Sequence, residues 1–511
     1  MTVRPLQGEK RIVLPTHWVE PGTLPGAVTA FVIEQRPRAW LVGGAVRDRL
    51  LGRPIHDLDL LVEDGAVSLA RAVADRFGGA FCLLDAGRDY GRALLSTADG
   101  ALLTVDVARL RGDSLEADLR ARDFTVNAMA APLTASGNGP LIDPTGGWED
   151  LRAGWLRLTS PQALRADPVR LLRAPRLAGD LSLRLAPETI QAIRAAAALL
   201  ILASPERVRD ELWRMLGAPG CARATRLLHA LDLLPHVLPE LSALSGVTQS
   251  EPHHADVFEH TLQAMHAIDR FLQVVLGQDP PRDVVEGLMW DALRPYAEPL
   301  RAHLSQPLSA GRAREGWARW LVLTHDWGKA ATRAVDPDGR VRFSGHERVS
   351  AELVEGRLDW LRFSRIEIRH LSGMARRHMR SFALTLGDHE PSARAIYRFF
   401  RDVGDAGSEL LLFGLADQRA TYGPRLALDA WRAQCGRTAW LLRDGLERRA
   451  THIAPASLLD GHLLMTELGI PPGPTVGRLL EAVREAQAAG EVSDRVQALD
   501  LARRLLHEQL L

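Results

Sequence analysis

Two carboxylates stand two residues apart in an apolar run, Asp57 and Asp59 in PIHDLDLLV. If the run is a strand, its period of two puts both on one face. Side by side they repel and raise each other's pKa until a cation relieves them. A divalent ion does this, and Mg²⁺ is commonly held by one or two carboxylates plus substrate phosphates. Just upstream, WLVGGAVRDRL reads as a strand that ends at Gly43-Gly44 and a helix that starts at Ala45. Glycines there let backbone N–H groups approach an anion, and a helix N-terminus favours negative charge. Arg47, one turn into the helix, offers a bidentate phosphate contact. Asp106, closing the apolar run LLTVD, is a third carboxylate: either a further ligand or the base for an attacking hydroxyl. Two metal ions held this way would suit in-line phosphoryl or nucleotidyl transfer.

A second group of ligand-type residues lies downstream, in HHADVFEH (253–260), THDWGK (324–329), Gly345-His346-Glu347, RRHMR (376–380) and ADQRA (416–420). Imidazoles and carboxylates together ligate Mn, Fe, Ni, Zn or Mg, depending on their mixture. His325 and Asp326 are adjacent, so they share a metal only where a helix ends or distorts. Of 63 basic residues only Lys10 and Lys329 are lysines. Lys329 follows His325 by one helical turn and supplies a compact charge to the same place.

These groups need elements to hold them. Apolar runs at Ala39–Val42, Leu58–Val62 and Leu102–Val107 predict strands, and Ala66–Phe77 predicts an amphipathic helix. From Pro161 onward the strand signal fades and helical periods dominate. The expected architecture is a small α/β head followed by a long all-α remainder. The 511 residues allow roughly three or four domains. We divide the chain into a lead-in (1–25), a head (26–150), a helical neck (151–245), a second metal domain (246–425) and a helical tail (426–511).

Composition excludes several classes. Apolar content of 46% and charged content of 25% argue against disorder. The 63 basic and 63 acidic residues balance, which excludes a uniformly basic nucleic-acid binder but leaves room for a local basic cleft. The longest apolar run, Ala195–Ala203, is too short to span a bilayer, so no membrane partner is expected. The first residues show no secretory pattern. Three distant cysteines, Cys82, Cys221 and Cys435, fit a reducing cytoplasm.

Four segments in order, GGAVRDRLLGRPIHDLD, RARDFTVNAMA (120–130), DPTGG (143–147) and ADPVRLLRAPR (166–176), resemble the successive motifs of class II tRNA nucleotidyltransferases and bacterial poly(A) polymerases. The resemblance implies a mixed sheet of five strands with flanking helices, and template-independent addition of nucleotides to RNA. It implies that Asp57 and Asp59 bind catalytic Mg²⁺, and that Gly43, Gly44 and Arg47 contact nucleotide phosphates. Arg122, Asp123 and Asn127 would hold the ribose and triphosphate. Asp167 and Arg170 would read the base, supported by Arg173 and Arg176. If Pro168 opens a helix, Asp167, Arg170 and Arg173 lie on neighbouring turns. A carboxylate accepting from an exocyclic amine, beside a donating guanidinium, matches cytosine and adenine and rejects guanine and uracil. Two positions depart from the family pattern. Ala166 stands where Glu is usual, and Pro175 should kink or end the helix.

The residues between Asp106 and LEADLRARDF, Val107–Ser114, form a short connection. In this it resembles members that add CC, which favours CTP and the 3′ end of tRNA as substrates, with a separate A-adding enzyme completing the end. Complete CCA addition (CTP and ATP), A addition and poly(A) synthesis remain as alternatives. The downstream set resembles the HD phosphohydrolase domain. That implies His260, His325, Asp326 and Asp417 as metal ligands, His346 and His378 as second-metal or phosphate ligands, and Lys329 as a phosphate contact. Trp148 and Trp155, with Arg165 and its neighbours, and the start of the helix after Gly473-Pro474 are further candidates for RNA contact.

Overall fold

The computed structural model describes residues 14–508 apart from positions 56, 98, 99, 136, 138, 388, 389 and 454. Residues 1–13 of the lead-in lie outside the described residues. The chain divides into two compact units at Ala203/Ser204.

The first unit runs α1 (Leu24–Gln35), β1 (Ala39–Val42), α2 (Gly44–Leu50), β2 (Asp57–Val62), α3 (Ala66–Phe77), β3 (Ala80–Asp85), β4 (Tyr90–Ser96), β5 (Leu102–Arg109), α4 (Leu115–Arg120), β6 (Ala130–Pro132), α5 (Gly147–Ala153), α6 (Gln162–Ala166) and α7 (Arg170–Asp180). Strands β1 to β6 form one mixed sheet in the order β3-β4-β5-β2-β1-β6, and Trp155–Leu156 and Arg184–Leu185 form a separate parallel pair. Only β2 and β5 are parallel within it; the other neighbours are antiparallel. The sheet therefore has six strands, where five were expected. The extra strand, β6, is three residues of AAP and lacks the β-branched signature of a strand. Its Pro132 is tolerated because β6 is an edge.

In β2 the alternation predicted for the carboxylates holds. Leu58 and Leu60 are buried, while Asp57 is exposed and Asp59 half-buried on the other face. Helix α3 turns Leu69, Ala70, Val73 and Ala74 into the core. The lead-in packs onto the first unit where it is described. Trp18 is buried, and its indole N–H donates to the Gly139 carbonyl at 2.7 Å.

Two local expectations are corrected. Pro175 neither ends α7 nor confines it, because the helix runs on to Asp180 with Pro175 buried inside. Six other positions of that helix, Arg170, Leu171, Leu172, Ala174, Leu177 and Ala178, are buried, and such packing outweighs the loss of one backbone donor. Asp167 does not share a helix with Arg170 and Arg173. It sits in extended conformation between α6 and α7, and its carbonyl accepts from the Arg170 N–H at 3.1 Å.

The second unit is helical, apart from short two-stranded pairs. Its interior holds four fully buried tryptophans, Trp317, Trp320, Trp327 and Trp431. Trp213 packs on Trp317 with centroids 4.7 Å apart. Near the end of the chain, the helices Gly461–Leu468, Pro474–Ala488 and Arg495–His507 close around Leu464, Leu479 and Val483. Among the described residues no helix is long and apolar enough to cross a membrane.

Candidate functional site

In the first unit, Asp59 pairs in register with Asp106 across β2 and β5, and Asp106 pairs with Arg92 across β5 and β4. Arg92 donates from Nε and Nη2 to the two Asp106 oxygens at 2.6 and 2.8 Å, and the Tyr90 hydroxyl adds a third donor at 2.8 Å. Asp106 thus has its own counter-ion. Asp59 is pushed up to about 6 by burial, then by Asp106 and Asp57, while Arg122 and Arg47 pull the other way. A carboxyl under this pressure is relieved by a cation, so Asp57 and Asp59 fit a divalent metal.

Above these carboxylates lies the turn Gly43-Gly44. Gly43 has φ +67°, and a side chain there would stand 3.1 Å from Arg122 Nη1 and 3.3 Å from Asp59 Oδ2. Glycine therefore brings the guanidinium and the carboxylate together. Asp118, buried on α4, accepts from Arg122 Nε at 3.1 Å and from the Arg111 N–H at 3.2 Å. It fixes Arg122 and ties down the connection after β5. That connection is shorter than expected, because β5 extends to Arg109 and Ser114 caps α4.

A hydrogen-bonded chain links the turn to α7. Arg47 donates to the Asn127 side-chain oxygen, and Asn127 Nδ2 donates to Asp123 at 3.3 Å. Arg173 Nη1 donates to Asp123 at 3.2 Å. Burial would raise the Asp123 carboxyl, but Arg173, the Phe124 N–H, Arg170 and Asn127 together hold it below its ordinary value. Arg170 is buried and donates to the carbonyls of Ala121 and Ala163, both at 3.2 Å; its Nε is 4.0 Å from Asp167. Burial lowers its pKa. Arg176 pairs with Asp180 one turn on, at 3.2 Å. Ala166 is exposed at the end of α6.

The DPTGG motif does structural work. Asp143 accepts from the Gly147 and Trp148 N–H groups at 2.9 and 2.8 Å, which starts α5. A Cβ on Gly147 would lie 2.1 Å from the Thr125 carbonyl oxygen, so only glycine lets α5 dock there. Trp155 is half-buried with the Arg184 guanidinium 4.2 Å over its ring.

In the second unit, ligand-type residues converge from the ends and interior of five helices. His260 lies in the first turn of Val257–Val275 and Asp417 within Gly407–Tyr422. The helix Arg314–Thr324 ends just before His325-Asp326, as sharing one metal requires. His346 begins His346–Trp360, and His378 follows Arg365–Arg377. His260 Nε2 is 2.9 Å from Asp417 Oδ1; His325 Nε2 is 3.0 Å from Asp326 Oδ2 and 3.4 Å from Asp417 Oδ1. His346 Nε2 is 3.4 Å from Asp326 Oδ1 and 3.2 Å from His378 Nε2. Two ligand groups result, His260/His325/Asp326 and Asp326/His346/His378, each with its atoms within 4.8 Å. Asp326 belongs to both.

The donor set fits metal ions. His325, His346 and His378 direct Nδ1 at the carbonyls of Val322, Phe343 and Ala375, at 2.9, 2.9 and 2.7 Å. A carbonyl only accepts, so each Nδ1 carries a hydrogen and each Nε2 faces the cluster as the ligand atom, its lone pair open to a metal once any proton there has left. The facing Nε2 atoms of His346 and His378 then oppose lone pair to lone pair unless a cation or proton lies between them. His325 Nε2 and Asp326 Oδ2 are buried and make no well-aligned hydrogen bond; their nearest polar contacts are each other at 3.0 Å and Lys329 Nζ at 2.7 Å from Asp326 Oδ2. Burial opposes charge on His325, but Asp326 and Asp417 lift it to about 10; burial, with His325 and His346, drives His378 down to about 3. Asp326 and Asp417 are held well below the carboxylate range, against burial, mainly by His325 and by His260 respectively. Lys329 is buried, with Nζ 2.7 Å from Asp326 Oδ2 and donating to Gln249 at 2.7 Å, so it braces Asp326.

Sequence reasoning passed over Arg92, Tyr90, Asp118 and His253. Arg92 shares the strand period with Tyr90, and Asp118 precedes Arg122 by one helical turn. Those spacings were the available signals.

The poly A polymerase head domain matches residues 39–157, and the probable RNA and SrmB-binding site of polymerase A matches residues 182–244. An A-adding tRNA nucleotidyltransferase of Deinococcus radiodurans is 36% identical over 483 residues, covering 92% of this chain and 96% of its own. A CC-adding tRNA nucleotidyltransferase of Thermus thermophilus is 36% identical over 467 residues, covering 90% and 92%. Among solved structures, a CCA-adding enzyme in complex with CTP aligns with a TM-score of 0.59 at 19% identity, over 97% of each chain; this likeness concerns the fold.

Proposed function

Because the chain belongs to the family of tRNA nucleotidyltransferases and poly(A) polymerases, an enzyme family, we propose that it adds two cytidines to the 3′ end of tRNA from CTP, releasing pyrophosphate, and that it carries a second, HD-type phosphohydrolase site. The observation that carries nucleotidyl transfer is the meeting of Asp59 with Arg122 beneath the Gly43-Gly44 turn, with Asp57 two residues before Asp59 on the same strand. Asp57 and Asp59 would hold the Mg²⁺ ions, which would supply Lewis acidity to the attacking hydroxyl and counter-charge to the leaving pyrophosphate. Gly43, Gly44 and Arg47 bind the triphosphate at the helix N-terminus. Arg122, Asp123 and Asn127 position ribose and phosphates. Asp167 accepts from the exocyclic amine of the base, and Arg170, fixed by two backbone carbonyls, donates beside it. Arg173 and Arg176 support this pair.

The connection Leu110–Ser114 supports CC addition. A five-residue link, pinned through Asp118, has little freedom to reshape one pocket for a second nucleotide. A separate enzyme would then supply the adenosine. A second reading, A addition, is favoured by the relative from Deinococcus radiodurans, as similar to this chain as the CC-adding one. The test is incorporation of CTP and ATP, separately and together, into tRNA lacking its 3′ CCA, resolved to one nucleotide. A stop after two cytidines supports CC addition. A single adenosine on tRNA ending in CC supports A addition. A complete CCA end or a long adenylate ladder overturns both.

In the second unit, His260, His325, Asp326 and Asp417 would hold one divalent metal, with His346 and His378 completing a second around Asp326. Lys329 adds compact positive charge toward a phosphate. Such a site hydrolyses phosphate esters and would clear a damaged 3′ end before extension. The neck and the helical tail, residues 426–511, would support the tRNA acceptor arm by contacts to phosphates and 2′-hydroxyls.

A further inference from the structure

The loop 246–256 leads into Val257–Val275 beside the imidazole–carboxylate cluster, and it is tied down along its length. Gln249 accepts from Lys329 at 2.7 Å, Thr248 from Arg333 at 3.0 Å, and Ser250 Oγ from the Val341 N–H at 2.7 Å. His254 Nδ1 lies 3.2 Å from the Thr421 carbonyl. Between these anchors stands His253. Its ring meets His260 edge to face, with centroids 5.1 Å apart and planes at 75°.

His253 Nδ1 is 3.3 Å from the Ser250 carbonyl, three residues back. His325, His346 and His378 are tied to their own i−3 carbonyls in the same way. The hydrogen is therefore on Nδ1, and Nε2, on the opposite side of the ring, has a free lone pair. Yet His253 belongs to neither ligand group. It also differs from those ligands in burial: His260, His325, Asp326, His346 and His378 are buried, whereas His253 is half-buried and its neighbours Pro252 and His254 are exposed. It is an acceptor at the rim of a cluster of buried ligands.

A dianionic phosphate ester presents only acceptors, so this lone pair cannot serve the phosphate itself. The donor that stands next to a nucleoside 3′-phosphate is the ribose 2′-hydroxyl. We infer that His253 Nε2 accepts a hydrogen bond from the hydroxyl beside the substrate phosphate, so that the second site selects ribonucleotide phosphates over their 2′-deoxy counterparts. This rests on the phosphohydrolase reading of that site.

The test uses the full chain with added Mn²⁺ or Ni²⁺. Phosphate release is measured from adenosine 3′-monophosphate and 2′-deoxyadenosine 3′-monophosphate, with bis(p-nitrophenyl) phosphate as a generic ester and metal content read alongside. The unaltered protein should prefer the ribonucleotide by roughly ten-fold in kcat/KM. His253→Phe keeps the ring but lacks the acceptor; it should bring the ratio near one with metal content unchanged. His253→Asn, which restores an acceptor oxygen, should recover part of the preference. Equal use of both nucleotides by the unaltered protein, an unchanged ratio in His253→Phe, or metal loss in that variant overturns the inference while leaving a hydrolase in place. Failure to release phosphate or nitrophenol from any of the three esters overturns the hydrolase reading and the inference together.

Discussion

Asp59 and Asp106 stand opposite each other on the only parallel strand pair of the sheet, and Arg92 clamps the far side of Asp106 with two donors at 2.6 and 2.8 Å. The pair is therefore unequal. Asp106 is neutralised within the protein, while Asp59 keeps an unmet demand for positive charge.

Asp57→Asn and Asp59→Asn should each reduce nucleotide incorporation by at least about a thousand-fold, because they remove ligands of the reacting centre. The fold should survive. Asp59 is raised to about 6 in the folded protein, so its charged form is disfavoured there. Without divalent metal, stability should fall as pH rises from about 4 through 6, by at most about 3 kcal/mol. Thermal melts in EDTA should show this slope in the unaltered protein and a flatter profile in Asp59→Asn. Adding Mg²⁺ at pH 7.5 should raise the Tm of the former more than that of the latter.

Asp118→Ala removes the carboxylate that holds Arg122 and the Arg111 backbone. Arg122 then loses its fixed place beside Gly43. The nucleotide KM should rise roughly ten-fold, with a smaller change in kcat, since a charge-assisted contact contributes about 1.5–3 kcal/mol. Initial-rate kinetics over a range of CTP concentrations checks this. An unchanged KM would remove Asp118 from nucleotide positioning.

Asp123 is held below its ordinary pKa, against burial, by Arg173 and its other donors. Its stabilisation is fully present above the unfolded value and is lost as pH falls through the lower, folded one. Asp123→Asn should therefore cost about 1–3 kcal/mol near neutral pH, and the penalty should shrink on acidification. Urea melts at pH 7 and at a pH well below 4 distinguish this from a penalty independent of pH.

Asp326 is shared by both ligand groups of the second unit, whereas His378 belongs to one. Asp326→Ala should empty the whole cluster and abolish phosphate-ester hydrolysis. His378→Ala should lose about half of the bound metal. Elemental analysis after dialysis against Mn²⁺ or Ni²⁺ reads this directly. EDTA should remove hydrolysis from the unaltered protein, and returning metal should restore it.

The head was legible where residues act locally. The Asp-x-Asp pair announces itself by strand period, and β1 and α3 fall on the predicted residues because their apolar patterns are clean. Strand β6 was not legible, since an Ala-Ala-Pro edge carries no propensity signal. Pro175 misled because a local rule was overridden by packing around α7. The partnership of Arg92 with Asp106 depends on strand order across β4, β5 and β2, which no local pattern contains. In the second unit the ligand types were readable in order along the chain. Their division into two groups around Asp326 arises only when the helix ends converge.

The most direct measurement compares two activities in the same preparations: CTP incorporation into tRNA lacking CCA, and phosphate-ester hydrolysis with added Mn²⁺ or Ni²⁺. It uses the unaltered chain, Asp59→Ala and Asp326→Ala. The expected result is a double dissociation, in which Asp59→Ala loses incorporation and keeps hydrolysis, while Asp326→Ala loses hydrolysis and keeps incorporation. Unchanged incorporation in Asp59→Ala, or loss of both activities on altering Asp326 alone in a folded protein, would contradict two separate active sites.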